Sequence, residues 1–277
     1  MMQTSSPAPL PALFVPHGAP TMVLEPGAAR NALAAIAQAL PRPRAIVVVS
    51  AHWQADQATV GTARELETIH DFWGFPPDLY QIRYPAPSAG ALASQVRQHL
   101  DDAGLAPATD DARGLDHGAW TPLLLMYPQA DIPVIPLSLE HGMGPKYHFA
   151  LGRALRPLLD QGVLVLASGN LTHNLRDFQL ASAEGSGSPA YVGEFADWMW
   201  KRLEAGDDEA VVAEADDGGV ELVAGLGGGD REIAGEGIAR GVVELGEDVE
   251  IAAGIVGPGD DEAAALEARD VEVVVAH

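Results

Sequence analysis

Apolar residues along this chain fall into short uninterrupted runs separated by longer stretches of helical periodicity. Ala45-Ile46-Val47-Val48-Val49-Ser50 is apolar and β-branched throughout, the pattern of a strand covered on both faces in a parallel sheet. Leu10–Val15 and Gly162–Gly169 repeat that pattern. Ile132–Leu139 is strand-like too, but Pro133 and Pro136 predict an edge position or irregular pairing. Between these runs, Pro26–Leu40 places Ala29, Leu33, Ala34, Ile36 and Leu40 near helical spacing and stops at Pro41. Ser88–Ala103, Trp120–Met126 and Lys146–Leu159 are the other predicted helices. The alternation predicts an α/β fold: a single domain with a mostly parallel central sheet flanked by helices. Ligands of such sheets bind beyond the carboxyl ends of the strands.

Histidines sit where that rule points. His17 follows the first run in Val15-Pro16-His17-Gly18, His52 follows the second in Ser50-Ala51-His52-Trp53, and His173 follows the last in Leu171-Thr172-His173-Asn174. A fourth, His117, stands in Leu115-Asp116-His117-Gly118. Neutral imidazole is a common ligand for zinc and non-haem iron and titrates near neutral pH, so several at strand ends predict a metal-centred site. For His117 two readings stand side by side: a site residue, or the residue after a capping Asp116 at a helix entry. His70 lies in the aromatic-rich loop His70-Asp71-Phe72-Trp73-Gly74-Phe75-Pro76, which lines a substrate pocket or is simply a packed turn. His99, His141 and His148 lack a convergent motif and read as surface or structural.

Composition narrows the chemistry. The 277 residues contain no cysteine, which excludes disulfides, zinc-thiolate sites, iron–sulfur clusters and a cysteine nucleophile. His, Asp and Glu remain as strong metal ligands. The formal charge of −23 argues against nucleic acid or an anionic membrane surface as partner. No apolar run approaches the roughly 20 residues that span a bilayer, and the N-terminus lacks the basic flank and apolar stretch of a signal peptide, so a cytoplasmic location is expected.

The charge is concentrated at one end. Residues 201–277 carry 21 acidic and 5 basic side chains, against 18 and 11 in residues 1–200. Beyond Trp200 there is no Phe, Trp or Tyr, and no histidine before His277. Two units are therefore expected: an α/β domain over residues 1–200, and an anomalous acidic, aromatic-free segment over 201–277 with little large apolar surface for packing.

Five strings, LFVPHGAPTMVLEPG, VVVSAHWQ, TIHDFWGFPPDLYQIRYPAPS, GLDHGAWTPLLLMYPQADIPVIPLSL and VLVLASGNLTHNLRDF, occur in that order. Together they resemble the class III extradiol ring-cleavage dioxygenases, in the 4,5-DOPA dioxygenase-like branch, from about Pro11 to Trp200. The resemblance implies one divalent non-haem metal, most often Fe(II), with Zn(II) in some members, and a phenolic or catecholic substrate opened with O₂. By that resemblance His17 and His52 match metal ligands. His173 matches an acid/base catalyst that sometimes serves as a further ligand, and His117 matches a histidine close to the substrate. Trp73, Phe75 and Tyr80 would form an aromatic wall for a flat ring, with Thr68 as a polar contact.

The sequence departs from the family in one respect. A C-terminal motif of the form His-Pro-Thr-x-Glu-His, which supplies another metal-binding histidine, is missing from the acidic segment. A shifted reading frame in a GC-rich gene produces such a change of composition; a divergent acidic tail is the structural alternative. Two other functions remain open on this reading: a zinc-dependent hydrolase or lyase on the same scaffold, and a catalytically impaired, ligand-binding remnant.

Overall fold

The apolar run that begins at Ala45 forms the long strand β2 (Ala45–Ala55), which has a parallel neighbour on each side. In a computed structural model of the chain, residues 8–24, 27–174, 176–177, 180, 187, 189–216 and 274–276 are described. The other strands are β1 (Ala12–Pro16), β3 (Thr59–Gly61), β4 (Ala108–Asp110), β5 (Val134–Glu140), β6 (Val163–Gly169) and β7 (Val274–Ala276). Their order across the sheet is β4-β3-β5-β2-β6-β1-β7. Pairing is parallel except between β3 and β5 and between β1 and β7. The chain thus folds as the expected α/β domain with a mostly parallel sheet.

Both faces of the sheet are covered, which is why the strands read as continuous apolar runs. Leu13, Val15, Ile46, Val48, Leu164 and Leu166 belong to one core. Their alternates Ala12, Phe14, Val47, Val49, Val163, Val165 and Ala167 belong to the other. The first core is closed by α1 (Ala28–Ala39) and α3 (His117–Met126), the second by α2 (Gly90–Asp102) and α4 (Pro145–Leu155). Full burial of one Val, Leu or Ile contributes about 1.5–3 kcal/mol, so the period-two division of these strands specifies their register.

Three local differences from the sequence-based expectation bear on the site. First, β5 is an interior strand rather than an edge, although its pairing with β3 is irregular, a single pair between Val60 and Leu137. Pro136 has no N–H to donate, and it is accommodated because Gly61 faces it: a Cβ on Gly61 would lie 3.1 Å from Pro136 Cδ and closer still to Cγ. Second, β2 continues through His52, where the run was expected to end at Ser50. Its pairing with β6 stops at Ser50 and its pairing with β5 shifts register between Val49 and Gln54, so His52 lies in an irregular stretch that re-aims its side chain. Third, the helix expected from Trp120 starts at His117. The carboxylate of Asp116 caps it by accepting the N–H of Ala119 at 3.2 Å.

Helix α5 (Ala190–Glu204) runs across residue 200, and α6 (Asp208–Asp216) follows it. Leu203 and Val211 are buried with Met199 against Leu171, Phe195 and Trp198. The first part of the acidic segment therefore joins the packing around the loop that carries His173. The segment expected to pack poorly, residues 201–277, thus packs in its first part, and residues 217–273, where the missing motif would fall, lie outside the described residues.

Candidate metal centre

Three elements bring three imidazoles together. His17 is the residue after β1, and Gly18 follows it at φ +52°, in the left-handed region where glycine turns the chain at least cost. His52 comes from the irregular stretch of β2, and His117 is the first residue of α3. The ring centroids are 4.8 Å apart for His17 and His52, 4.0 Å for His52 and His117, and 5.5 Å for His17 and His117. One nitrogen from each ring lies within 4.8 Å of the other two. That spacing suits three nitrogens arranged around a cation that each binds at roughly 2.0–2.1 Å.

Hydrogen bonds behind the rings fix which nitrogen of His17 is bare. The Ser168 hydroxyl donates to the carbonyl of Gly118 at 2.5 Å, so its oxygen is free to accept from His17 Nδ1 at 2.9 Å. The proton of neutral His17 is thereby held on Nδ1, and Nε2 keeps its lone pair. His117 Nδ1 lies 3.0 Å from Asp71 Oδ2, which also stands 3.8 Å from His52 Nδ1. Imidazoles whose outer nitrogen faces a hydroxyl or carboxylate are the usual arrangement around protein-bound metals.

Electrostatics favour the ligand form. Burial holds the His17 imidazole well below its ordinary pKa, and positive charge on His52, His117 or His173 would lower it further. Burial likewise brings His52 down to about 4, again with His117 acting in the same direction. Both rings are therefore neutral at pH 7, as metal binding requires. Burial pushes the Asp71 carboxyl up, but the His117 ring 3.0 Å away, the hydrogen bond from the His117 backbone N–H and the nearby charge of His52 outweigh it and hold the pKa at about 2. Asp71 is an anion at every working pH.

Gly118 makes the close approach of these groups feasible. A Cβ there would lie 2.9 Å from His52 Cδ2, 3.2 Å from His17 Nδ1 and inside contact distance of Ser50 Oγ. Ser50 in turn donates to Asp116 at 2.5 Å, and Arg113 pairs with the other oxygen of Asp116 at 2.8 Å. A buried hydrogen-bonded frame thus fixes the start of α3 against β2.

The other residues singled out by sequence are placed as follows. His173 is half-buried and close enough for its charge to act on His17 and His52, yet it stands outside the group of three, which takes His117 instead. Phe75 and Tyr80 both pack on Phe72, whose ring meets His117 edge-on at 5.7 Å. Trp73 is 75% exposed. The hydroxyl of Thr68 accepts the N–H of Tyr84 at 2.8 Å and so ties down the loop. Sequence reasoning passed over Asp71, Phe72, Ser168 and Gly118. The first two lay within the aromatic loop already noted, and Gly118 within the His117 motif. Ser168, by contrast, looks like any small residue in a buried strand.

Residues 11–243 match the family model described as the catalytic LigB subunit of aromatic ring-opening dioxygenase. The chain belongs to this family. Within it, the 4,5-DOPA dioxygenase extradiol of Beta vulgaris is 40% identical over 202 residues, covering 72% of this chain and 74% of that protein. The protein of the same name from Escherichia coli (strain K12) is 46% identical over 169 residues, 60% of this chain and 61% of that one. A solved structure of an uncharacterized Escherichia coli K12 protein matches at 40% identity with a TM-score of 0.51, covering 61% of this chain and 63% of that chain. This member of the ring-opening dioxygenase family thus falls in the DOPA-dioxygenase-like branch, and its family match extends beyond residue 200 into the acidic segment. Among the described residues no helix is long and apolar enough to cross a membrane.

Proposed function

We propose that the chain is an extradiol dioxygenase that opens the ring of a DOPA-like catechol with O₂, with Fe(II) held by His17, His52 and His117. The observation that carries this reading is the meeting of three imidazoles, two of them held neutral, in a family of aromatic ring-opening dioxygenases. Their donor set fits a borderline divalent ion with positions left for a bidentate substrate. Bound there, the metal supplies the Lewis-acid and one-electron chemistry that allows a catechol to react with O₂. His117 provides the third imidazole that the missing C-terminal motif would otherwise contribute.

The protein's own part is positioning and proton handling. Phe72, backed by Phe75 and Tyr80, offers an apolar ring surface beside His117 against which a flat phenol can lie. His173, close to the three imidazoles and outside their group, serves as the base that takes a proton from the substrate hydroxyl and returns it to the product. The test is anaerobic loading with Fe(II) followed by DOPA and air. Oxygen uptake matched by a yellow semialdehyde supports the reading. A fully loaded protein that consumes no O₂ overturns it and points to the zinc-dependent hydrolase or lyase.

A further inference from the structure

Asp71 touches the metal-site residues twice, through different oxygens. Oδ1 accepts the backbone N–H of His117 at 2.8 Å, and Oδ2 lies 3.0 Å from the Nδ1 atom of the same residue. That Nδ1 atom is buried and makes no hydrogen bond of good geometry among the described residues, so Oδ2 acts on it as a close negative charge. Oδ2 also stands 3.8 Å from Nδ1 of His52. Asp71 comes from the aromatic loop, not from the strands or helix that carry the histidines, and its side chain is 25% exposed. A carboxylate has acceptors only: here one oxygen accepts the backbone N–H of His117 and the other faces the ring nitrogen of the same residue.

We infer that Asp71 is a positioning residue that sets the tautomer of His117, holding its proton on Nδ1 so that Nε2 presents a lone pair. This rests on His117 being a ligand, as proposed above. The backbone bond fixes where the carboxylate sits, and the carboxylate then dictates what the ring nitrogen must be. If Nδ1 lost its proton, two lone pairs would face each other across 3.0 Å in a buried site. The neutral ring is therefore held in one of its two forms, with its outer nitrogen facing a fixed negative charge.

Asp71→Asn makes the argument testable because it keeps the shape and changes the hydrogen-bond code. An amide offers one acceptor and one donor. With its oxygen on the His117 backbone N–H, its NH₂ faces Nδ1, and the ring must move its proton to Nε2. In the flipped orientation the oxygen meets Nδ1–H while the NH₂ opposes the backbone N–H, and that bond is lost. Either way, one of the two roles of Asp71 fails.

The decisive measurement needs no metal. In metal-free protein labelled with ¹⁵N-histidine, long-range ¹H–¹⁵N spectra at pH 7.5 report which nitrogen of each imidazole carries the proton. The expected result is an Nδ1–H tautomer for His117 in the wild type and a shift towards Nε2–H in Asp71→Asn. Cobalt(II) titration, read from its visible absorption, should show affinity lowered by roughly 10–100-fold, the usual range for such outer partners. In a His117→Ala background, Asp71→Asn should change Co(II) affinity by much less. If Asp71→Asn does not fold, Asp71→Glu is read in the same way and is expected to keep the Nδ1–H tautomer. An Nε2–H tautomer in the wild type overturns the inference, and so does an Asp71→Asn variant that keeps Nδ1–H while the His117 backbone amide stays as protected from exchange as in the wild type, even if the protein proves to be an active dioxygenase. A wild-type protein that binds no cobalt overturns the metal-site reading while leaving the tautomer result to judge Asp71.

Discussion

The Nε2 atoms of His17 and His52 lie 3.0 Å apart. With the His17 proton held on Nδ1 by Ser168, that separation requires a proton on Nε2 of His52 in the metal-free protein, or a cation in its place. A second proton on the pair would set like charges together in a buried site. Metal-free protein should therefore lose stability in acid. The unfolded chain takes up protons at its histidines below about pH 6.5, whereas folded His52 does so only near 4 and folded His17 below its ordinary value. The folded state binds fewer protons across that window, so stability falls as pH drops from about 6.5 towards 4. The urea midpoint measured between pH 7.5 and 4.5 checks this. His52→Gln should flatten the slope, and an equally steep fall in that variant would contradict the assignment.

Ser168 is the link between the His17 ring and the carbonyl of Gly118. Ser168→Ala leaves the buried Nδ1–H of His17 without an acceptor, which costs about 1–3 kcal/mol. Freed of that bond, His17 can place its proton on either nitrogen, and metal affinity should fall by roughly 10–100-fold. Thermal unfolding of the metal-free protein reads the first effect and a zinc titration the second. Ser168→Thr, which retains the hydroxyl, is expected to recover much of the affinity if β6 tolerates the added methyl.

Gly118→Ala is the most economical way to disturb the site without removing a polar group. The new methyl would press on Ser50, the His52 ring and the His17 ring together. Overpacking of this kind costs about 1–3 kcal/mol. Because Ser50 is fixed by Asp116, the imidazoles are the groups that must give way. Metal occupancy after dialysis should drop more sharply than stability does, with far-UV circular dichroism unchanged.

The strands were legible in the sequence because both sheet faces are covered. Every residue of Val47-Val48-Val49 must be apolar, whichever side it faces. The alternation of strands with helices then gave the fold, and the rule that ligands sit at strand carboxyl ends gave His17. His52 was found for a reason that was only half right, since β2 does not end before it but changes register around it. The short strands β3 and β4, three residues each, carry too little pattern to be seen. Asp71 was hidden by the same limitation. It lies 46 residues from His117 along the chain, and nothing local announces that the aromatic loop folds back onto the start of α3.

His117 and His173 are assigned different tasks, and two alanine variants separate them. If His117 is the third ligand, His117→Ala removes one of three imidazoles, and metal content after dialysis should fall along with activity. Asp71 would then be left facing no ring proton, so the loop carrying Phe72 should loosen as well, seen as faster amide exchange around residues 70–75. His173 stands beside the group and not within it. His173→Ala should keep the metal while turnover drops by roughly 10²–10⁴-fold, the range for loss of a general acid or base. Turnover per bound metal decides the matter. Removal of the base should lower it, whereas loss of a ligand lowers total activity by emptying sites. Metal loss in His173→Ala with full retention in His117→Ala would exchange the two roles.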